Sequence, residues 1–186
     1  MTCIVGLVHE GDVYIGGDSA GVNNLLDMYV RADEKVFSKG NMVFGFCGSF
    51  RMGQLLRYSF SPPDQTIGEG DFAYLCGTWM SALIECLKNN GCATIKDNEI
   101  CVGGDFLLGF NSSLYLIQGD FQVAMRVEPY NACGSASDYA MGVMSVLVDV
   151  EDISPEGKIT MALETAERFS AGVKGPFVIT KLSKRD

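Results

Sequence analysis

A single histidine, His9, occurs among the 186 residues of the sequence. A Ser-His-Asp or Cys-His nucleophile system would have to use this residue as its base. His9 lies at the far end of the first predicted strand, beside the turn "EGD", where we expect a solvent-exposed hairpin tip. We therefore expect no catalytic histidine.

Metal-binding patterns are also missing. Structural zinc is held by Cys and His residues at short spacing, and no CxxC occurs among the seven cysteines. No other motif points to a bound organic group. We expect neither a metal nor another cofactor.

Basic residues and long apolar runs are scarce. The chain has 14 Lys and Arg against 23 Asp and Glu, a net charge of −9, and its one basic cluster is the tail "KLSKR". Binding to phosphate backbones needs clustered Lys and Arg, and a membrane span needs about 18–20 consecutive apolar residues. We expect no nucleic-acid partner and no membrane partner.

The N-terminal segment lacks the basic stretch and apolar run of a signal peptide. The odd number of cysteines, most of them in apolar surroundings, indicates buried free thiols in a reducing compartment. These two features predict a cytoplasmic protein.

The apolar fraction of 47% and the charged fraction of 20% predict a globular chain, and its length suits one domain over residues 1–186. "TCIVGLVH" and "VYIGGDS" predict a hairpin around "EGD", and "EKVFSKGNMVFGFCG" predicts a second one. Three strands are predicted in "DFLLGF", "SSLYLIQ" and "FQVAMRV", and a last strand in "FVITKL".

Four segments predict helices. Ser49 suits the N-cap of "SFRMGQLLRYSF", and Ser154 with Pro155 suits the start of "SPEGKITMALETAERFSAGV". "DFAYLCGTWMSALIECLKNN" starts at Asp71 and ends before Gly91. The predicted apolar faces are Phe72, Leu75, Met80, Leu83, Ile84 and Leu87 in that helix, Tyr139, Val143, Met144 and Leu147 in "YAMGVMSVLVDV", and Ile159, Ala162, Ala166 and Phe169 in the last helix. The order ββββ, α, α, βββ, α, α, β predicts an α+β fold with helices packed outside the sheets.

The first residues suggest a nucleophile that needs no histidine. Met1 is followed by Thr2, and an initiator methionine before such a small residue is usually removed. Thr2 would then carry a hydroxyl and a free α-amine, whose ordinary pKa of about 7.7–8.0 suits a general base. A terminal threonine can thus supply both nucleophile and base.

Asp18 and Lys35 are the charged residues that we expect beside Thr2. A tight hairpin returns the end of its second strand, where Asp18 lies, to the start of the first. A nearby Lys35 ammonium would keep the amine neutral and acidify the hydroxyl, and Asp18 would orient that ammonium. The alternative interpretation is that both are ordinary surface charges.

Four motifs, "TCIVGLVHEGDVYIGGDSAG", "EKVF", "FGFCGS" and "ACGSASDYAMG", together resemble proteasome β-type subunits, and most closely the bacterial HslV-type peptidase. The resemblance implies the four-layer α-β-β-α sandwich of N-terminal-nucleophile hydrolases and threonine-type hydrolysis of peptide or amide bonds. It implies Thr2 as nucleophile, tuned by Asp18 and Lys35. Gly48 resembles the oxyanion donor, and Ser135 the serine that assists near the terminal amine.

Each of the last two assignments has a structural alternative. Gly48 also suits a strand-to-helix turn, and Ser135 also suits an N-cap of the helix that begins near Tyr139. In the late helix the family has an aspartate followed three residues later by a serine or threonine. Arg168 and Ala171 stand about there in this sequence, and Glu167 or Ser170 would substitute only in a shifted register.

The resemblance further implies a homo-oligomeric ring that acts on peptides or unfolded proteins with an ATPase unfoldase. The substrate side chain would meet Phe46, Cys47 and Phe50 in "FCGSFRMGQ". Two alternatives stay open: an inactive assembly or scaffold subunit, which the missing aspartate favours, and a hydrolase of small amides.

We expect the intact mass of the native protein to lack one methionine, because catalysis needs a free amine on Thr2. Mass spectrometry of protein from its native cell measures this directly. Quantitative retention of Met1 would contradict the catalytic interpretation and favour the scaffold.

Overall fold

The computed structural model describes residues 1–23, 25–96 and 98–184. Strands and helices occur in separate runs along the chain, as predicted. The strands are β1 (Ile4–His9), β2 (Asp12–Gly17), β3 (Ala20–Val22), β4 (Met28–Val30), β5 (Val36–Lys39), β6 (Met42–Phe46), β7 (Ala93–Lys96), β8 (Glu99–Val102), β9 (Phe106–Phe110), β10 (Ser113–Ile117), β11 (Val123–Met125), β12 (Tyr130–Cys133) and β13 (Val178–Leu182). The helices are α1 (Phe50–Tyr58), α2 (Asp71–Tyr74), α3 (Met80–Asn89), α4 (Ser137–Leu147) and α5 (Pro155–Phe169), with a π-helical turn, Leu75–Trp79, joining α2 to α3.

Two antiparallel sheets form the centre of the molecule. The first has the strand order β12-β1-β2-β13, and the second has the order β11-β10-β9-β6-β5. The β1–β2 hairpin pairs Ile4 with Gly17 and His9 with Asp12, so the end of β2 returns beside the start of β1, as predicted. His9 is exposed at the hairpin tip.

Three apolar clusters separate four layers. One lies between the sheets and includes Ile4, Ile15 and Leu107. A second packs the outer face of the first sheet against α4 and α5, and a third packs the second sheet against α1 and α3. Successive residues of β1 alternate between the first two clusters, since neighbouring strand side chains point to opposite faces. The predicted α-β-β-α sandwich is confirmed.

The predicted helix starts are confirmed at α1 and α5. Ser49 Oγ accepts a hydrogen bond from the Met52 N–H at 3.1 Å, and Ser154 Oγ accepts one from the Gly157 N–H at 3.1 Å. Each cap satisfies a backbone donor that the helix leaves unpaired. α1 then leads directly away from the loop that holds Gly48.

Three residues of the predicted apolar faces are exposed instead: Phe72 by 47%, Tyr139 by 44% and Phe169 by 60%. The π-helical turn adds a residue to one turn, which rotates Phe72 off the face that Leu83 and Leu87 present to the sheet. Tyr139 and Phe169 stack on each other at 5.7 Å between ring centroids. The small residue Ala140 faces the sheet in place of Tyr139.

The sequence patterns also missed several strands. The patterns predict neither of the ribbons β3–β4 and β7–β8, and they predict no strand at Tyr130, where β12 begins. β12 pairs with β1 through Ile4 and Cys133. This short edge strand is too brief to show an alternating pattern, yet it carries the chain to Ser135.

Among the described helices, none is both long and apolar enough to cross a membrane. In the tail "KLSKR", Lys181 forms a 2.6 Å ion pair with Asp12 at the hairpin tip, and the Lys184 N–H donates to the same carboxylate at 2.8 Å. Arg185 of this tail lies outside the described residues.

We expect Leu163→Ala to lower the free energy of unfolding by about 2–5 kcal/mol, because Leu163 is fully buried between α5 and the first sheet. Met161→Ala on the same helix is the matched control, since Met161 is 42% exposed. Urea unfolding at constant m-value measures both. Equal losses in the two variants would contradict the layer assignment.

Candidate active site

Thr2 lies two residues before β1, at the end of the first sheet where β2 and β12 flank β1. The Asp18 N–H donates to the Cys3 carbonyl at 3.3 Å, which extends the hairpin by one pair beyond Gly17. Thr2 is buried, with 5% of its surface exposed. The hairpin therefore places the Asp18 side chain beside Thr2.

The Asp18 carboxylate is buried and accepts four hydrogen bonds. Its Oδ1 accepts from the Cys3 N–H at 3.0 Å and from Lys35 Nζ at 2.9 Å. Its Oδ2 accepts from the Ala20 N–H at 2.9 Å and the Lys174 N–H at 3.4 Å. A buried carboxylate is tolerated only when its oxygens are satisfied in this way. Asp18 thus ties β1, β3, Lys35 and the segment before β13 together.

Lys35 joins the carboxylate to the threonine hydroxyl. Its Nζ lies 2.9 Å from Asp18 Oδ1 and 2.9 Å from Thr2 Oγ1, and the residue is 2% exposed. Burial lowers the pKa of the Lys35 ammonium, and the Asp18 carboxylate opposes that shift. Lys35 stands just before β5 and its carbonyl accepts from the Phe46 N–H at 3.1 Å, so the second sheet fixes its position.

The turn after β12 holds the other side of Thr2. The Thr2 N–H donates to Ser135 Oγ at 3.3 Å, and the Ala136 N–H donates to the Thr2 carbonyl at 3.3 Å. Gly134 has φ +102°, and a Cβ there would collide with the Thr2 carbonyl. The N-cap of α4 is Ala136, without a side-chain cap. The alternative role of Ser135 as an N-cap is therefore wrong, and Ser135 contacts Thr2.

Gly48 turns the chain from β6 towards α1 beside the same site. Its φ is +78°, and a Cβ would lie 2.5 Å from the Gly103 carbonyl oxygen and 2.7 Å from Gly104 Cα. Only glycine fits this turn without strain. The Gly48 N–H donates no hydrogen bond to any residue that the structure describes, which leaves it available as a donor.

Met1 covers the site in this chain. Its carbonyl accepts the hydroxyl hydrogen of Thr2 at 2.6 Å from Oγ1, and its side chain packs against Gly172. With Met1 in place the Thr2 nitrogen is an amide, which has no basic lone pair to accept a proton. Removal of Met1 would free both the nitrogen and the hydroxyl hydrogen.

A cavity of about 440 Å³ opens beside Thr2. Its walls come from both sheets and include Cys47, Gly48, Cys133 and Ser135. The other two residues predicted to meet substrate do not line it. Phe46 is buried against Gly53 and α1, and Phe50 lies under the Arg31 guanidinium, 3.8 Å from its ring centroid.

Comparisons of whole sequences and of whole folds give different results. No family model and no curated protein matches the sequence. BPH from Thiobacillus denitrificans, in complex with epoxomicin, has a TM-score of 0.82 at 19% identity, over 98% of this chain and 100% of BPH. Eukaryotic HslV from Trypanosoma brucei has a TM-score of 0.71 at 17% identity, over 98% of this chain and 99% of HslV. Anbu (ancestral beta-subunit) from Yersinia bercovieri has a TM-score of 0.66 at 13% identity, over 97% of this chain and 81% of Anbu.

The chain has the proteasome-type N-terminal-nucleophile hydrolase fold. At these identities the likeness is one of fold. The assignment of roles to Thr2, Asp18, Lys35, Gly48 and Ser135 stays a prediction, although the fold brings all five residues to one place.

In this N-terminal-nucleophile hydrolase fold the late helix contributes no carboxylate to Thr2 among the described residues. Glu167 forms a 2.6 Å ion pair with Lys174, and the Ser170 N–H caps α5 on the Ala166 carbonyl. Arg168 lines a groove on the outer surface between α4 and α5. Neither Glu167 nor Ser170 takes the place of the family's late-helix aspartate and serine or threonine at the Thr2 nitrogen.

The sequence patterns did not predict two backbone features of the Thr2 site. The backbone of Lys174 donates to Asp18, and Gly134 permits the close approach of Thr2. A glycine between Cys133 and Ser135 is a sequence signal for a positive φ at Gly134. Nothing in the sequence around Lys174 indicates that its backbone contacts Asp18. Within the described ranges no cluster of three or more His, Cys, Asp or Glu is arranged to hold a metal ion.

We expect Asp18→Asn to lower the free energy of unfolding by about 3–5 kcal/mol, because it leaves the buried Lys35 ammonium without its counter-charge. Asp12→Asn on the same hairpin is the matched control, since its ion pair with Lys181 is at the surface. Chemical denaturation of both variants measures the difference. A loss in Asp18→Asn no larger than in Asp12→Asn would contradict a buried charged pair.

Proposed function

We propose that this protein is a threonine-type N-terminal-nucleophile hydrolase that cleaves peptide bonds once Met1 is removed. The observation that carries the proposal is the position of Lys35 Nζ, 2.9 Å from both Thr2 Oγ1 and Asp18 Oδ1. A buried ammonium that donates a hydrogen bond to a hydroxyl stabilises the negative charge that the hydroxyl oxygen develops during attack. An ordinary surface threonine has no such partner.

The reaction would proceed through an ester on Thr2. Oγ1 attacks the substrate carbonyl carbon while the free α-amine of Thr2 accepts the hydroxyl proton. The Gly48 N–H, free of other described partners, would donate to the oxyanion that forms, and the loss of such a donor costs about 2.7–4 kcal/mol. Collapse breaks the C–N bond, and the leaving amine takes the proton from the Thr2 amine.

Water completes the cycle. It attacks the ester carbonyl, the Thr2 amine takes its proton, and the acid product leaves as Oγ1 regains a hydrogen. Ser135 Oγ lies 3.3 Å from the Thr2 nitrogen, which suits it to hold that amine. Lys35 would stabilise the charge on Oγ1 in both half-reactions.

We propose that the substrates are peptides or unfolded proteins. The protein would act in the cytoplasm as a homo-oligomeric ring, with an ATPase unfoldase as its partner. The fold likeness to HslV and the complex of BPH with epoxomicin support this substrate class. The exposed apolar side chains Tyr139, Val146 and Phe169 on the α4–α5 face are compatible with contacts between copies. A small amide would also fit the cavity.

A scaffold without catalysis is the second candidate. The lack of a late-helix carboxylate at Thr2 among the described residues favours it. Where Met1 is retained, its carbonyl accepts a hydrogen bond from the Thr2 hydroxyl, with 2.6 Å between the two oxygens. A subunit that keeps Met1 would retain this arrangement permanently. The two candidates differ in what Thr2 does after Met1 is removed.

We expect protein whose first residue is Thr2 to form a covalent ester with a peptidyl β-lactone and to hydrolyse a fluorogenic peptide amide. A cleavable N-terminal tag supplies this form, and tryptic mass mapping locates the adduct. Thr2→Ser should keep the adduct and Thr2→Ala should lose it with the fold intact, because only the hydroxyl reacts. Turnover by Thr2→Ala, or no adduct on Thr2, would contradict the proposed function.

A further inference from the structure

Two cysteines that the proposed mechanism does not use lie in the wall of the Thr2 cavity. Cys47 and Cys133 both line this space of about 440 Å³, and each is 5% exposed. All seven cysteines carry free thiols in the structure. The two thiols are not bonded to each other in the structure, and both border the cavity.

The fold brings these thiols together from opposite sheets. Cys47 follows β6 and its N–H donates to the Asp105 carbonyl at 2.9 Å, whereas Cys133 ends β12 opposite Ile4. Both belong to the apolar cluster between the sheets. A Cβ on Gly134 would lie only 3.4 Å from Cys47 Cβ, so the turn after β12 packs directly on Cys47.

The two thiols also interact with each other. The Cys47 thiol donates to the Asp105 carbonyl at 3.4 Å. The adjacent Cys133 side chain lowers the pKa of Cys47, burial and the Asp105 charge oppose this shift, and the positive charge of Lys35 adds to it. The same contact with Cys47 and burial raise the pKa of Cys133. Neighbouring Cys3 differs, since burial, followed by Asp18, raises its pKa to about 12. Cys47 is thus the nucleophilic member of the pair, because the thiolate is the reactive form.

We propose that Cys47 and Cys133 form an oxidisable dithiol, a modification site in the cavity wall that hydrogen peroxide converts reversibly into a disulfide. The Cys47 sulfur attacks one peroxide oxygen, the O–O bond breaks, and water leaves a sulfenic acid on Cys47. The Cys133 sulfur then attacks the Cys47 sulfur, the S–O bond breaks, and a second water leaves. Two thiols lose two electrons and two protons, and one peroxide becomes two waters.

The disulfide would change the geometry around Thr2. Bonded sulfurs are about 2.05 Å apart, closer than hydrogen-bonded thiols, so the bond draws the end of β6 towards the end of β12. Gly48 follows Cys47 directly, and Gly134 and Ser135 follow Cys133. Oxidation therefore moves the oxyanion donor and the serine of the proposed mechanism together, and this consequence rests on the proposed function.

The oxidation itself is tested without any activity measurement. Full-length protein is treated with hydrogen peroxide, its remaining thiols are alkylated, and non-reducing peptide maps are analysed by mass spectrometry. We expect one peptide pair joined through Cys47 and Cys133, lighter by two hydrogens and separated by dithiothreitol. Sulfenic acid that accumulates on Cys47 without the bond, or bonds only among other cysteines, would overturn the proposal.

Matched variants separate the pair from the other thiols. Cys76→Ser alters an exposed cysteine and should leave the Cys47–Cys133 bond unchanged. Cys133→Ser should abolish the bond and leave Cys47 as a sulfenic acid, and Cys133→Ala does the same if serine is poorly tolerated in the core. The proposal is supported if Cys76→Ser loses both the Cys47 and the Cys133 thiol to peroxide at the rate of the unmodified protein, and Cys133→Ser does not form the bond. Loss of the Cys47–Cys133 bond in Cys76→Ser would overturn the proposal.

The effect on the cavity has its own readout. In protein that begins at Thr2, we expect oxidation to slow β-lactone labelling by roughly 100-fold, since a displacement of about 1 Å can cost that factor, and dithiothreitol to restore it. Cys133→Ser cannot form the disulfide and should show no comparable slowing of labelling with peroxide. Equal labelling of reduced and disulfide-bonded protein would overturn the effect on Thr2. Absence of labelling in the reduced protein instead contradicts the proposed function and leaves the mapped disulfide standing.

Discussion

The buried ion pair between Lys35 and Asp18 is the constraint on which the site depends. Removing two charges from water is costly, and the attraction between them offsets that cost only where the remaining polar positions are satisfied. Asp18 meets this condition by accepting from three backbone N–H groups as well as from Lys35. Those groups belong to separate parts of the chain, so the pair forms only when the hairpin, β3 and the segment before β13 are in place. The charge that the site needs is thereby coupled to the fold.

The two sheets position the partners of Thr2 independently. The first sheet supplies Thr2 and, through β12, Ser135, while the second supplies Lys35 and the turn at Gly48. Two left-handed glycines allow this convergence, since a side chain at Gly48 or Gly134 would collide with neighbouring backbone. The cavity is therefore a property of the contact between sheets, with little dependence on side-chain flexibility.

A site without histidine has to find its proton acceptor and its charge elsewhere. The Thr2 amine and the Lys35 ammonium can supply both in the proposed mechanism, and the Lys35 charge also lowers the pKa of Cys47, after the larger effect of Cys133. The positive charge of Lys35 thus acts on both the proposed dithiol and the proposed hydrolase site. The late helix offers no carboxylate to the Thr2 nitrogen among the described residues, since Glu167 pairs with Lys174, and Ser135 contacts that nitrogen instead.

The sequence patterns alone determined the separate runs of strands and helices, the β1–β2 hairpin and the proximity of Asp18 to Thr2, because these follow from patterns within a few neighbouring residues. The four-layer order came from the motif resemblance. Motif resemblance, rather than periodicity, placed Lys35, Gly48 and Ser135 with them. Only the tertiary structure decided that Phe72, Tyr139 and Phe169 are exposed, that β12 pairs with β1, and that Cys47 lies beside Cys133. These depend on a π-helical turn and on contacts between sheets, where residues distant in sequence approach each other and no local pattern records the meeting.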